Sequence, residues 1–126
     1  MYTNLAYSTY SQNNISIESP EKLIKMLYEG ILRFASQAKK AIEDKDIEKR
    51  TYWINRTSAI FAELIHSLNY EGGQVAYYLR GLYSYQLKLL SDANMKNDAT
   101  KIDQVINVAR GLLEAWKEST DVANQA

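Results

Sequence analysis

Apolar side chains return every three or four positions through most of this chain. Leu23, Leu27, Ile31, Phe34, Ala38 and Ala41 hold that spacing, which places them on one face of a helix turning 100° per residue. Ser19-Pro20-Glu21 predicts the helix start. It supplies a hydroxyl to cap free N–H groups, a proline suited to the first helical position, and a carboxylate for the positive end of the dipole. The pattern fades at Glu43-Asp44-Lys45-Asp46, where an Asp is placed to cap the next helix.

Ile47, Ile54, Phe61 and Leu68 follow at intervals of seven, joined by Leu64 and Ile65. This second helix is predicted to stop at Asn69-Tyr70-Glu71-Gly72-Gly73, whose glycines accept left-handed geometry. A third helix carries Val75, Leu79, Leu82, Leu89 and Ala93, and Lys96-Asn97-Asp98 closes it. Asp98 then caps a fourth, striped by Ile102, Val105, Ile106, Ala109, Leu112, Leu113 and Trp116. Connections of a few residues make consecutive helices antiparallel neighbours. The expected fold is therefore all-α, an antiparallel up-down-up-down four-helix bundle.

The ends of the chain read differently. Tyr2, Ala6 and Tyr10 sit at helical spacing, while Ser11 to Glu18 is mostly polar. A segment this short does not hold itself helical in water, so it must dock on the bundle or on something else. We therefore expect a single domain over 1–126, divided into a mobile N-terminal cap helix or segment at 1–18, the bundle at 19–118, and a frayed polar tail at 119–126.

Two helices carry more apolar surface than one seam needs. On the first, Ile24, Tyr28, Ala35 and Ile42 form a second line beside Leu23, Leu27, Ile31, Phe34 and Ala38. On the third, Ala76, Tyr83 and Leu87 flank one side of the seam, and Tyr78 and Tyr85 flank the other. These arcs are wider than the ~100° stripe of an ordinary surface helix. The surplus predicts a cover, supplied by the N-terminal segment, by a partner, or by both in alternation. Ile24, Leu27, Tyr28, Ile31, Ala76, Leu79, Tyr83, Leu87 and Leu90 are the candidate seat. Gly30, Gly81 and Gly111 lie inside helical stretches, where each costs about 1 kcal/mol relative to Ala. They predict places where backbones come close.

Composition narrows the partner. Lys and Arg number 15 against 15 Asp and Glu, so the basic footprint of a nucleic-acid binder is missing. Ten Tyr against two Phe and two Trp favour a protein interface, because Tyr gives contact area and tolerates one wet edge. With no Cys, no disulfide framework or thiolate metal site is expected. Met1-Tyr2-Thr3-Asn4 lacks the start of a signal peptide, and no apolar run approaches the roughly 20 residues of a membrane span. The expected location is the cytoplasm, without membrane insertion.

One motif bears on catalysis. Glu63-Leu64-Ile65-His66 is the Glu-x-x-His unit of di-iron bundles, which need two such units and two further Glu. The chain has a single His, so the second unit does not exist within it. Gly72-Gly73 lies between helices with no preceding strand and no following Lys-Ser/Thr, which is not a phosphate loop. No enzyme activity, cofactor or metal is expected.

The run Glu18-Ser19-Pro20-Glu21-Lys22-Leu23-Ile24-Lys25-Met26-Leu27-Tyr28-Glu29-Gly30 strongly resembles the opening helix of the flagellar secretion chaperone FliS family. The likeness continues in Ala6-Tyr7, Tyr10, Asn13, Gly72-Gly73, Leu79, Leu82-Tyr83, Ala93-Asn94, Asp98 and Leu113-Glu114-Ala115-Trp116. The resemblance implies an antiparallel helical bundle that binds the disordered C-terminal region of newly made flagellin and prevents premature polymerisation. It further implies delivery of the complex to the type III export gate, whose large component is FlhA. Tyr7 and Tyr10 match family positions tied to the N-terminal cap and to gate recognition. The alternative reading is a self-associating helical adaptor, its surplus apolar face buried in a weak homodimer.

Overall fold

The computed structural model describes residues 20–125, with side chains described up to Asp121. Four helices account for nearly all of it: α1 (Pro20–Glu43), α2 (Ile47–His66), α3 (Gln74–Lys96) and α4 (Ala99–Gln125). A single 3-10 turn, Tyr70–Gly72, interrupts the connection between α2 and α3. α1 packs on α2 and α4, and α3 packs on the same two. The four therefore close into a ring with α1 and α3 on one diagonal. This is the all-α antiparallel bundle that the periodicity predicts. None of the described helices is long and apolar enough to cross a membrane.

The α1–α2 and α3–α4 connections are built alike. Each has a non-glycine residue in the left-handed region, Lys45 (φ 58°) and Asn97 (φ 51°), followed by an aspartate. The N–H of Asp46 bonds back to Ala41 O at 2.9 Å, and that of Asp98 to Ala93 O at 3.1 Å. These bonds satisfy carbonyls that a helix C-terminus leaves open. The same aspartates then cap the next helix. Asp46 accepts from the Lys49 N–H at 3.1 Å, and Asp98 accepts from the Thr100 N–H at 2.9 Å and from the Thr100 hydroxyl. Those two bonds, from the hydroxyl first, hold the Asp98 carboxyl below the ordinary carboxylate range. Gly73, before α3, adopts φ 104°, where a Cβ would be strained.

At this end of the bundle α2 is tied to its neighbour α3 by side-chain hydrogen bonds. Arg50 donates from Nε to Asn94 Oδ1 at 2.8 Å and from Nη1 to Asn97 Oδ1 at 3.0 Å. Thr51 donates to the same Asn94 oxygen at 3.1 Å. On another side, Lys39 of α1 pairs with Asp103 of α4 at 2.9 Å. The hydrogen bond and charge of Asp103 raise the Lys39 ammonium above its usual range.

Two expectations change here. On α1 the residues buried in the interior are Ile24, Tyr28, Ile31, Ala35, Ala38 and Ile42, while Leu23, Leu27 and Phe34 are half-buried. The wheel placed Ile31, Ala38 and Ala41 correctly but set Leu23, Leu27 and Phe34 ahead of Ile24, Tyr28, Ala35 and Ile42, because both lines are apolar and periodicity has no means of ranking them. The second change is at the C-terminus. α4 continues to Gln125, beyond the boundary at 118 placed from sequence. Glu118 to Gln125 holds no Gly or Pro, and the Ser119 and Thr120 hydroxyls donate to the Ala115 and Trp116 carbonyls one turn back.

The helical glycines are not alike. A Cβ on Gly30 would stand 3.0 Å from Ile60 Cδ1, the tight α1–α2 crossing that sequence anticipates, whereas Gly81 and Gly111 face open space. Gly81→Ala and Gly111→Ala should therefore each raise stability by about 0.5–1 kcal/mol. Gly30→Ala should gain less, as Ile60 must yield. Urea denaturation of the three variants checks the ranking, and equal gains would contradict it.

Candidate partner-binding surface

The nine side chains proposed as a seat separate into two layers. Ile24, Tyr28, Ile31, Ala76, Tyr83 and Leu90 are at most 2% exposed and line the bundle interior. Leu27, Leu79 and Leu87 are half-buried and pack against that interior from its edge. Across the diagonal, the Tyr28 and Tyr83 hydroxyls lie 2.7 Å apart and share a hydrogen bond. Trp116 of α4 sets its ring edge-on to Tyr28, with centroids 6.5 Å apart, and its indole N–H donates to the Glu21 carbonyl at 2.9 Å. Phe61 of α2 closes the set against Tyr83 at 6.0 Å. All four helices thus contribute an aromatic ring to one cluster, and each Tyr hydroxyl and indole N–H in it is matched. Tyr7 and Tyr10 lie outside the described residues.

α3 also turns tyrosines outward over a broad face. Tyr77, Tyr78 and Tyr85 are 60%, 69% and 52% exposed, and Tyr70 of the 3-10 turn packs on Tyr77 with centroids 4.8 Å apart and the rings tilted by 50°. Gly81 lies on the same exposed face. Tyr78 and Tyr85 are the two residues that sequence placed on the far flank of the α3 seam. In α3, Gln86 is a buried polar residue. Its Nε2 donates to the Leu82 carbonyl at 3.1 Å, while its Oε1 has no partner among the described residues.

A third aromatic group lies on the outer face between α1 and α2. Phe34 packs on Trp53 with centroids 5.4 Å apart, and Tyr52 meets Trp53 edge-on at 4.9 Å. Sequence reasoning put Phe34 on the core line and passed over Tyr52 and Trp53. The signal was present: two adjacent aromatics on one helix project about 100° apart, so they cannot share one seam.

The Glu-x-x-His unit lies at the surface. Glu63 and His66 are both exposed on α2, and Glu63 accepts from the Ser67 hydroxyl at 3.4 Å. Among the described residues no group of three or more His, Asp or Glu is placed to hold a metal ion. The described helices present apolar and aromatic surface at Leu27, Leu79, Leu87 and the outward tyrosines of α3.

Comparison with known proteins gives this surface its context. The sequence model of the family described as "Flagellar protein FliS" matches residues 2–123. The chain is 60% identical over 119 residues to the flagellar secretion chaperone FliS of Campylobacter jejuni, covering 94% of this chain and 93% of that one. It is 31% identical to the protein of the same name from Bacillus subtilis, over 90% of this chain and 84% of the relative. The Salmonella typhimurium protein is likewise 31% identical, over 98% of this chain and 96% of the relative. A four-helix bundle with tyrosine-rich faces, matched almost end to end by these proteins, belongs to the FliS family of flagellar secretion chaperones.

Proposed function

We propose that this protein is a cytoplasmic export chaperone for flagellin. It binds the disordered C-terminal region of the newly made subunit, keeps it from polymerising, and presents it to the export-gate protein FlhA. The observation that carries the reading is the match to a flagellar secretion chaperone at 60% identity over 94% of the chain. The half-buried rims on two helices supply the physical means. A disordered tail that becomes helical on binding must offset its ordering entropy with buried apolar surface, which calls for an extended seat rather than a small pocket.

The seat is in two parts, a rim on α1 and a rim on α3 at opposite corners of the ring, which an extended tail reaches by wrapping the bundle. Leu27, Leu79 and Leu87 are its accessible side chains, and Ile24, Tyr28, Ile31, Ala76, Tyr83 and Leu90 form its floor. Residues 1–18 act as a tethered cover that competes with the guest and lowers its apparent affinity. Within that segment, Tyr7 and Tyr10 serve the cover and the gate. No cofactor takes part.

Titration of a flagellin C-terminal peptide into the full chain, followed by circular dichroism, tests the reading. Saturable gain of helix at micromolar concentrations is expected, weakened by Leu87→Asp. No binding at tens of micromolar would remove the flagellin assignment. A light-scattering mass of twice the monomer that persists on dilution would favour self-assembly instead. Tyr10→Ala should weaken capture by FlhA and leave the peptide titration unchanged; equal loss of both contradicts its assignment to the gate.

A further inference from the structure

The α1–α2 outer face holds a further feature, built on side chains that also pack against the core. A pocket of about 540 Å³ opens there, lined by Leu32, Arg33, Phe34, Ser36, Gln37 and Trp53. Its volume lies within the range of pockets that seat small ligands and side chains. Two guanidiniums attend the same ring in it. The Arg56 carbon stands 4.9 Å from the Phe34 centroid and the Arg33 carbon 5.7 Å. Arg56 also lies 5.7 Å from the Tyr52 ring and donates from Nη1 to the Tyr52 hydroxyl at 3.1 Å.

The electrostatics point one way. Neither arginine has a carboxylate within 4 Å; among the described residues the one such ion pair is Lys39–Asp103. Glu29 precedes Arg33 by one helical turn and Glu63 follows Arg56 by two, but neither closes a bridge with it. Stacking a guanidinium on a ring leaves N–H donors at its edge for a planar acceptor. It also restricts the long side chain in advance, so less entropy is lost when an acid arrives. Shielding of Phe34 from water would need one arginine; here two converge on one ring beside an open apolar recess.

We propose that this pocket docks an acidic peptide segment, with an apolar side chain inserted beside Phe34 and Trp53 and flanking Asp or Glu carboxylates held by Arg33 and Arg56. Carboxylates are preferred over a nucleic-acid backbone because the chain carries no net charge to drive polyanion binding. The recess also requires an apolar anchor, which a bare anion does not supply. The site faces away from the Tyr28–Tyr83 cluster but continues the Leu27 line of α1 by two turns; its test uses no flagellin sequence, so it can fail while the flagellin reading stands.

The test uses the full 126-residue chain and a synthetic peptide, Glu-Asp-Glu-Leu-Phe-Glu-Asp-Glu. Binding is read by NMR from the Trp53 indole resonance, assigned with Trp53→Phe. Saturable movement of that resonance is expected, lost when Lys replaces every acid or Gly-Ser replaces Leu-Phe. Arg33→Gln with Arg56→Gln should weaken binding about tenfold or more, on the scale of a lost charge pair. Both arginines are exposed, and an unchanged dichroism spectrum verifies that the variant is folded. Arg56→Lys should recover only part of the loss, because the ammonium keeps the charge without the plane. The proposal is overturned by no indole movement at millimolar peptide, by an unchanged affinity in the double Gln variant, or by equal binding of the Gly-Ser peptide. Tighter binding of heparin than of the peptide also overturns it, since that would mark a general polyanion surface.

Discussion

Phe61→Ala should lower the unfolding free energy by about 3–5 kcal/mol, the largest loss expected from a single truncation in this bundle. Phe61 is wholly buried in α2 and its ring lies 6.0 Å from that of Tyr83. Removing it withdraws a large apolar area and leaves a cavity under the aromatic cluster that all four helices share. A domain of this size is stable by only about 5–15 kcal/mol, so the variant should retain a folded population with little margin. Urea denaturation gives the measurement: a large drop in midpoint with an unchanged slope is expected. A loss below about 1 kcal/mol would mean that the interior collapses around the missing ring. The same variant should bind its guest less tightly, because the cluster would no longer hold α1 and α3 at a fixed separation.

The second large effect has the opposite sign. Gln86→Met should stabilise the protein by about 1–3 kcal/mol, the range associated with relieving an unpaired buried polar atom. Gln86 is 1% exposed, and its side-chain oxygen finds no donor among the described residues. Methionine fills a similar volume without that atom and adapts to an irregular space. The Leu82 carbonyl, which now accepts from the Gln86 amide, keeps its place in the helical backbone ladder. Gln86→Glu makes the complementary test: it removes the amide donor and buries an acid, and should be destabilising. Loss of stability in Gln86→Met would show that the amide oxygen is satisfied in solution.

The fold was readable because its signals are local and redundant. Asp46 and Asp98 announce their helices by residue type, and both do cap them. Ile54, Phe61 and Leu68 recur at seven and all three are buried. Ile47, the first of the same series, is 65% exposed, since it lies at the start of α2 where the ring of helices ends. Lys45 shows a limit of another kind. Nothing about a lysine suggests the left-handed region, and the turn required a residue there whatever its type.

The binding surface was less legible. Tyr28 and Tyr83 have the composition of an interface and the position of a core, and periodicity is the same for both. Only the packing of α2 and α4 around them decides. Phe34 and Trp53 failed for a related reason: a wheel treats each helix alone, whereas their pocket exists between two. The arginines that complete it carry no pattern at all until Phe34 is placed beneath both.

The two tight connections described for the α1–α2 and α3–α4 turns bear on when the protein becomes usable. Each helical pair is joined by only a few residues, so closing either loop takes little chain entropy and contacts between successive helices come early. Helical bundles with such local connectivity fold in microseconds to milliseconds. A ribosome adds about 5–20 residues per second. The first pair should therefore be assembled while the second is still being made, and the finished chain should be competent within a small fraction of the time taken to add one more residue. A flagellar secretion chaperone with these turns is ready for its partner almost as soon as it is made.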